Sequence, residues 1–171
     1  STYNRAGDLV LQTDSGLGIT ANNSANRLFF YDKNGQLRKT TVKVWDDAAQ
    51  NIYRSDNAYM LYDKAGRKTA DIGHDGELTE YRYDKTGRLT ATIRYATKVS
   101  AANVTALNNV SPGLEVSTIR PSGTSNDIWT WTVYDAGGRA IRNIDGTGAV
   151  IRYEYDAANR LIGTFGYYNK L

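Results

Sequence analysis

The chain has 171 residues, a net charge of +3 and no cysteine. It is long enough for one domain of roughly 100–200 residues, and disulfides and thiolate metal sites are excluded. Its Lys and Arg residues are scattered, which does not give the concentrated basic face that nucleic-acid binding needs, and no stretch approaches the roughly 20 apolar residues of a membrane span.

Residue usage leans to strands, with 13 tyrosines, 16 glycines and two prolines. Aromatic and β-branched residues suit a pleated, half-buried surface, and glycine supplies turns. In chain order the alternation predicts strands near 27–32, 36–45, 58–63, 67–72, 77–84 and 88–95. Four more are predicted near 127–134, 138–144, 149–156 and 160–167. Two stretches break the pattern and read as insertions into a single array over residues 1–171. The first is 46–57. The second, 96–126, contains a short helix near 100–107 in which Ser100 caps the first turn and Asn108-Asn109 ends it, with Pro112-Gly113 and Pro121-Ser122-Gly123 as loop punctuation. The beginning, Tyr3-Asn4-Arg5-Ala6-Gly7, reads as a worn repeat, so both ends are expected to be cuts through a longer chain.

The dominant signal is internal repetition. Residues 62 to 95, YDKAGRKTADIGHDGELTEYRYDKTGRLTATIRY, recur with variations as residues 134 to 167. Within each copy a Tyr-Asp pair returns after 21 residues, from Tyr62-Asp63 to Tyr83-Asp84 and from Tyr134-Asp135 to Tyr155-Asp156, and Tyr31-Asp32 stands earlier. A fixed period identifies one supersecondary unit stacked on its neighbours. The unit reads as strand, turn, strand, turn. In Thr79 to Leu89, Tyr81 and Tyr83 share one strand face and Glu80 and Arg82 the other. Asp84 opens a turn by accepting backbone N–H bonds, and Gly87 takes the left-handed position. Asn159 stands at that position in the second copy, and asparagine tolerates this conformation best after glycine. The same structural roles extend to Gly35, Gly66 and Gly138, to Arg67, Arg88, Arg139 and Arg160, and to Tyr153 with Tyr155. The tyrosine pairs Tyr81/Tyr83 and Tyr153/Tyr155 are expected to form aromatic ladders across neighbouring strands.

The run Glu80-Tyr81-Arg82-Tyr83-Asp84-Lys85-Thr86-Gly87-Arg88-Leu89-Thr90 closely resembles the YD repeats of Rhs-family proteins, as does Asp75-Gly76 ahead of it. Three of the Tyr-Asp pairs are followed by Gly-Arg, at Gly66-Arg67, Gly87-Arg88 and Gly138-Arg139. The resemblance covers most of residues 27 to 167, and no copy of the family's terminal core motif is found. It implies a mostly β fold, an antiparallel meander of hairpins in a curved, spiralling open sheet. It also implies a structural segment of a large secreted or cell-surface protein, such as a bacterial polymorphic toxin, a toxin-complex subunit or a teneurin. In many bacterial members the shell encloses a toxic C-terminal domain, so the expected partners are the remainder of the parent chain and its cargo. No membrane insertion is expected.

Candidate chemistry is sparse. His74, the single histidine, falls in a turn beside Asp75, with no cysteine and no nucleophile elbow to serve it. The repeated aspartates match no EF-hand or zinc spacing, and their place before each turn is explained by backbone hydrogen bonding. The chain is therefore expected not to be an enzyme and to need no cofactor or metal. Trp129 and Trp131 share a strand face with Val133. If exposed they are a platform for a sugar or protein partner, and if buried under 96–126 they are core. This leaves a second reading, an adhesin or a carbohydrate- or protein-binding module using the repeat surface and contacting a glycan or a cell-surface protein. Open strand edges also invite self-association.

Overall fold

The computed structural model describes residues 2–3, 9–14, 25–47, 52–108 and 114–167. The worn repeat at 4–7 and the Pro112-Gly113 punctuation lie outside the described residues. The described chain is an antiparallel meander: β1 (Thr2–Tyr3), β2 (Leu9–Asp14), β3 (Ala25–Tyr31), β4 (Leu37–Asp47), β5 (Ile52–Tyr62), β6 (Lys68–Ile72), β7 (Leu78–Tyr83), β8 (Leu89–Arg94), β9 (Ile128–Tyr134), β10 (Ala140–Ile144), β11 (Val150–Tyr155) and β12 (Leu161–Tyr167). Between β8 and β9 come helix α1 (Ala101–Asn108) and a single helical turn, α2 (Val116–Ile119). The predicted strands from 27 onward are present, mostly to within a residue or two.

The chain divides into two compact units. The first comprises residues 1–78 and 99–120, the second residues 79–98 and 121–171. In each, successive strands pair in chain order and the sheet stays open.

In the first unit the insertion supplies the cover for one sheet face. Tyr59 and Leu61 of β5, Ala70 and Ile72 of β6, and Leu78 are buried together with Val99, Leu107 of α1 and Ile119 of α2. Burying each large apolar side chain contributes about 1.5–3 kcal/mol. Ser100 caps α1 as its sequence position implies, its Oγ accepting from the Asn103 N–H at 3.3 Å and its carbonyl from Val104 N–H at 2.9 Å. At the other end Asn108 Oδ1 accepts from the Tyr59 hydroxyl at 2.7 Å and from Lys39 Nζ at 3.2 Å, which pins the helix to β4 and β5.

In the segment 46–57, expected to be irregular, the described residues are strand: β4 runs to Asp47 and β5 begins at Ile52. Ser55, Asp56 and Asn57 are poor strand formers taken singly, but each finds a cross-strand partner, in Lys43, Val42 and Thr41. The Thr41 hydroxyl donates to Asn57 Oδ1 at 2.7 Å, and Arg54 Nε lies 3.0 Å from Asp56 Oδ1 along the same strand face. Pairing outweighs the local preference.

The second unit has a smaller core, built on Ala91 and Ile93 of β8 and on Glu80, which is only 2% exposed. Its outer strands leave Ile151, Leu161, Ile162 and Phe165 exposed.

Candidate functional site: the Tyr-Asp clasp

Each Tyr-Asp pair begins the same loop. The Asp N–H donates to the carbonyl four residues on, and the N–H three residues on donates back to the Asp carbonyl, at 2.9–3.0 Å, for Asp32, Asp63, Asp84, Asp135 and Asp156. The residue three on is left-handed: φ is +75° at Gly35, +81° at Gly66, +89° at Gly87, +84° at Gly138 and +62° at Asn159. This is a type I turn closed by a glycine-type bulge, and it accounts for the register shift beside each Tyr-Asp pair. The intervening turns that open at Gly73 and Asp145 have the same backbone pattern, so both turns of the repeat are one kind of structure.

The aspartate side chain holds the loop from inside. Asp84 Oδ1 accepts the N–H groups of Thr86 and Arg88 at 2.9 and 3.0 Å, and Oδ2 accepts Arg88 Nε at 2.7 Å. Asp63 with Arg67, Asp135 with Arg139 and Asp156 with Arg160 repeat the 2.7 Å guanidinium bond. These donors hold the Asp84, Asp135 and Asp156 carboxyls below the usual carboxylate range, the backbone N–H of the following arginine acting most strongly in each. Burial pushes Asp63 upward, but the Arg67 and Ala65 donors outweigh it and leave its carboxyl low as well.

The arginine then reaches the next repeat. The Arg88 guanidinium lies 4.8 Å from the Tyr134 ring centroid, and Arg139 lies 5.0 Å from that of Tyr155. Each tyrosine answers by donating its hydroxyl to the carbonyl just after that arginine: Tyr134 to Leu89 at 3.0 Å and Tyr155 to Ala140 at 2.9 Å. The first unit has a variant. Gln36 stands where the arginine would be and donates Nε2 to the Gly66 carbonyl at 3.1 Å, while Arg38 lies 5.6 Å from the Tyr62 ring and Tyr62 donates to Leu37 O at 3.0 Å. Burial pushes the Tyr62 hydroxyl up, so it stays a neutral donor. One carboxylate, one guanidinium and one phenol thus lock a turn shut and tie it to its neighbour. Cation–π contacts of this kind contribute about 0.5–2 kcal/mol each.

Aromatic ladders were the expectation for the tyrosine pairs, but the register sets Tyr81 opposite Thr92, Tyr83 opposite Leu89, Tyr153 opposite Thr164 and Tyr155 opposite Leu161. The Tyr153 hydroxyl accepts from Asn143 Nδ2 at 3.0 Å. Trp131 is 39% exposed and so is not core. The two tryptophans stack on each other, centroids 5.5 Å apart and planes 16° apart, and the Arg82 guanidinium lies 5.1 Å from the Trp129 ring. His74 is exposed, its Nε2 3.1 Å from Asp75 Oδ1.

Two functional side chains escape a sequence reading. Buried Glu80 takes hydrogen bonds from Arg82 Nε at 2.9 Å and from the Tyr95 hydroxyl at 2.7 Å. Asp127 accepts from the Ala96 N–H at 2.9 Å and from the Thr124 N–H at 2.9 Å, which closes the entry to β9 and holds its carboxyl low. Each depends on a contact distant in sequence, with Tyr95 for Glu80 and with Ala96 for Asp127.

With this geometry in place, the repeats can be set beside known proteins. Residues 62–99 and 134–164 match the family model of the RHS Repeat. These two stretches are RHS repeats. The turns that begin at Asp63, Asp84, Asp135 and Asp156 belong to them, and the Tyr31-Asp32 turn has the same geometry outside the matched stretches. No curated protein matches the chain. Among solved structures, TcdB2-TccC3 without its hypervariable C-terminal region superposes with a TM-score of 0.61 at 13% identity, over 96% of this chain and 8% of that one. TcdB2-TccC3 gives 0.61 at 13% over 97% and 8%. The Photorhabdus luminescens Tc holotoxin pore gives 0.59 at 14% over 95% and 7%. The likeness is one of fold, and this chain spans less than a tenth of the length of those chains. Among the described residues no helix is long and apolar enough to cross a membrane.

Proposed function

We propose that this chain is a structural, non-catalytic segment of an RHS-repeat shell in a large secreted or cell-surface protein, where the sheet walls off a toxic or effector cargo. The observation that carries the reading is the clasp. It commits Asp84, Arg88 and Tyr134, and Asp135, Arg139 and Tyr155, to holding strands together, and those are the residue types an enzyme would otherwise use. Array growth by similar locked units gives a sheet whose extent scales with repeat number, the property a container needs. The fold shared with the toxin-complex structures supports a shell over a compact catalytic domain.

The test is the native polypeptide, detected with an antibody against this chain in cell and secreted fractions. A chain many times longer, released from the cell and carrying a separable C-terminal domain protected from added protease, is the expected result. A native chain near 18.9 kDa standing alone would overturn the shell.

A further inference from the structure

The clasp at Tyr62 lacks a carboxylate. In the clasps at Tyr134 and Tyr155 the guanidinium that lies against the ring also holds its own aspartate, Arg88 with Asp84 and Arg139 with Asp135, each at 2.7 Å. At Tyr62 the two tasks are split. Gln36 takes the arginine's place in the Asp32 turn, and Arg38, two residues on, supplies the cation beside the ring. Asp32 spends Oδ1 on the N–H groups of Asn34 and Gln36, and among the described residues no carboxylate pairs with Arg38. Arg38 is half-buried, and the ring beside it is fixed by the hydroxyl bond from Tyr62 to Leu37 O. A guanidinium that meets a ring through its face keeps its N–H edge for a planar acceptor.

Arg38 lines a groove of about 900 Å³ within the first unit, in the range of about 300–1,000 Å³ typical of small-molecule sites. Tyr31, Leu114 and Val116 give the groove apolar walls, and the Thr69 hydroxyl joins them. Among its charged groups Asp63 and Arg67 neutralise each other at 2.7 Å. That leaves Arg38, Lys33 and Lys64 against Asp32 and Glu115, a positive balance in which both lysines are exposed.

We propose that this groove binds a small organic carboxylate, an anion with an aliphatic or aromatic body. Its two oxygens accept from the N–H edge of Arg38, completing the clasp as Asp84 completes that of Arg88, and its body lies against Tyr31, Leu114 and Val116. Bidentate pairing to a half-buried guanidinium supplies the selectivity for a carboxylate. Lys33 and Lys64 add only an attraction that salt screens. The site depends on β3 to β6 and α2 and not on any cargo, so it and the shell can fail separately.

The experiment titrates octanoate, and octanamide as its neutral isostere, into the isotope-labelled 171-residue chain and follows the amide and arginine Nε–H resonances. Octanoate should shift the signals of Arg38, Thr69 and Val116 saturably, and octanamide should bind about tenfold more weakly, as loss of one charge-assisted pair would give. Arg38→Gln should weaken octanoate by a similar factor and leave octanamide unchanged. Equal affinity of the parent chain for octanoate and octanamide would overturn the proposal, and that comparison needs no variant to fold. So would shifts confined to Lys33 and Lys64 that disappear in high salt, or octanoate binding undiminished in a folded Arg38→Gln chain.

Discussion

Arg139 Nη1 donates to Asn159 Oδ1 at 2.8 Å while its Nε holds Asp135 Oδ2 at 2.7 Å. Asn159 is the one non-glycine residue with positive φ among those described, so the asparagine does more than tolerate a left-handed backbone. Its side chain gives the preceding repeat's arginine a second acceptor, where Arg88 uses the backbone carbonyl of Asp135 at 3.3 Å. The two turns should therefore respond differently to substitution. Gly87→Val places a β-branched residue at φ +89° and should cost about 2 kcal/mol or more. Asn159→Gly exchanges a relieved backbone for a lost hydrogen bond and should stay within about 1 kcal/mol. Thermal melts of the two variants check this, and equal losses would sink the turn assignment.

Acid should loosen the repeats. The Asp63, Asp84, Asp135 and Asp156 carboxyls are held low in the folded chain, so their contribution is fully present above the unfolded carboxylate pKa of about 4. It is lost as pH falls through the lower folded values. Urea midpoints should be flat near neutrality and decline steadily below about pH 5. An Asp84→Asn chain should decline less steeply, and an unchanged slope would contradict the role of that carboxylate.

The insertion should behave as core rather than as a dispensable loop. Leu107 and Ile119 are 6% and 2% exposed, and Leu107→Ala or Ile119→Ala should each cost about 2–5 kcal/mol in chemical denaturation. Exposed Ile162→Ala should change stability by less than about 0.5 kcal/mol. Losses of equal size at Ile119 and Ile162 would remove the distinction.

Coupling between repeats can be measured directly. A double-mutant cycle of Arg139→Ala and Tyr155→Leu should show an interaction energy of about 0.5–1 kcal/mol, because the Arg139 guanidinium lies against the Tyr155 ring and Leu removes the ring face. Strict additivity would mean that neighbouring turns are held by the strands alone.

The stacked indoles give an optical signature. Trp129 and Trp131 lie close and nearly parallel, so far-ultraviolet circular dichroism should contain an exciton couplet that vanishes equally in Trp129→Ala and Trp131→Ala. Loss of the couplet in only one variant would place the chromophore pair elsewhere.

The repeat was legible because its cause is local. Asp84 to Arg88 sits within one turn, and the residues that make the loop are adjacent in sequence. Strand alternation followed for the same reason, and Ser100 announced the helix it caps. What escaped depends on partners far along the chain. Ser55 to Asn57 read as loop until Lys43, Val42 and Thr41 pair with them. Glu80 read as one polar residue on a strand face until Tyr95 and Arg82 satisfied it in burial. The forward half of the clasp was equally hidden, since Arg88 and Tyr134 are separated by the whole insertion.

The clasp also gives the array a polarity. Each turn offers a guanidinium on one side and a phenol on the other, and the two are not interchangeable. Repeats joined through this feature run head-to-tail, a heterologous arrangement that propagates until a differently built end stops it.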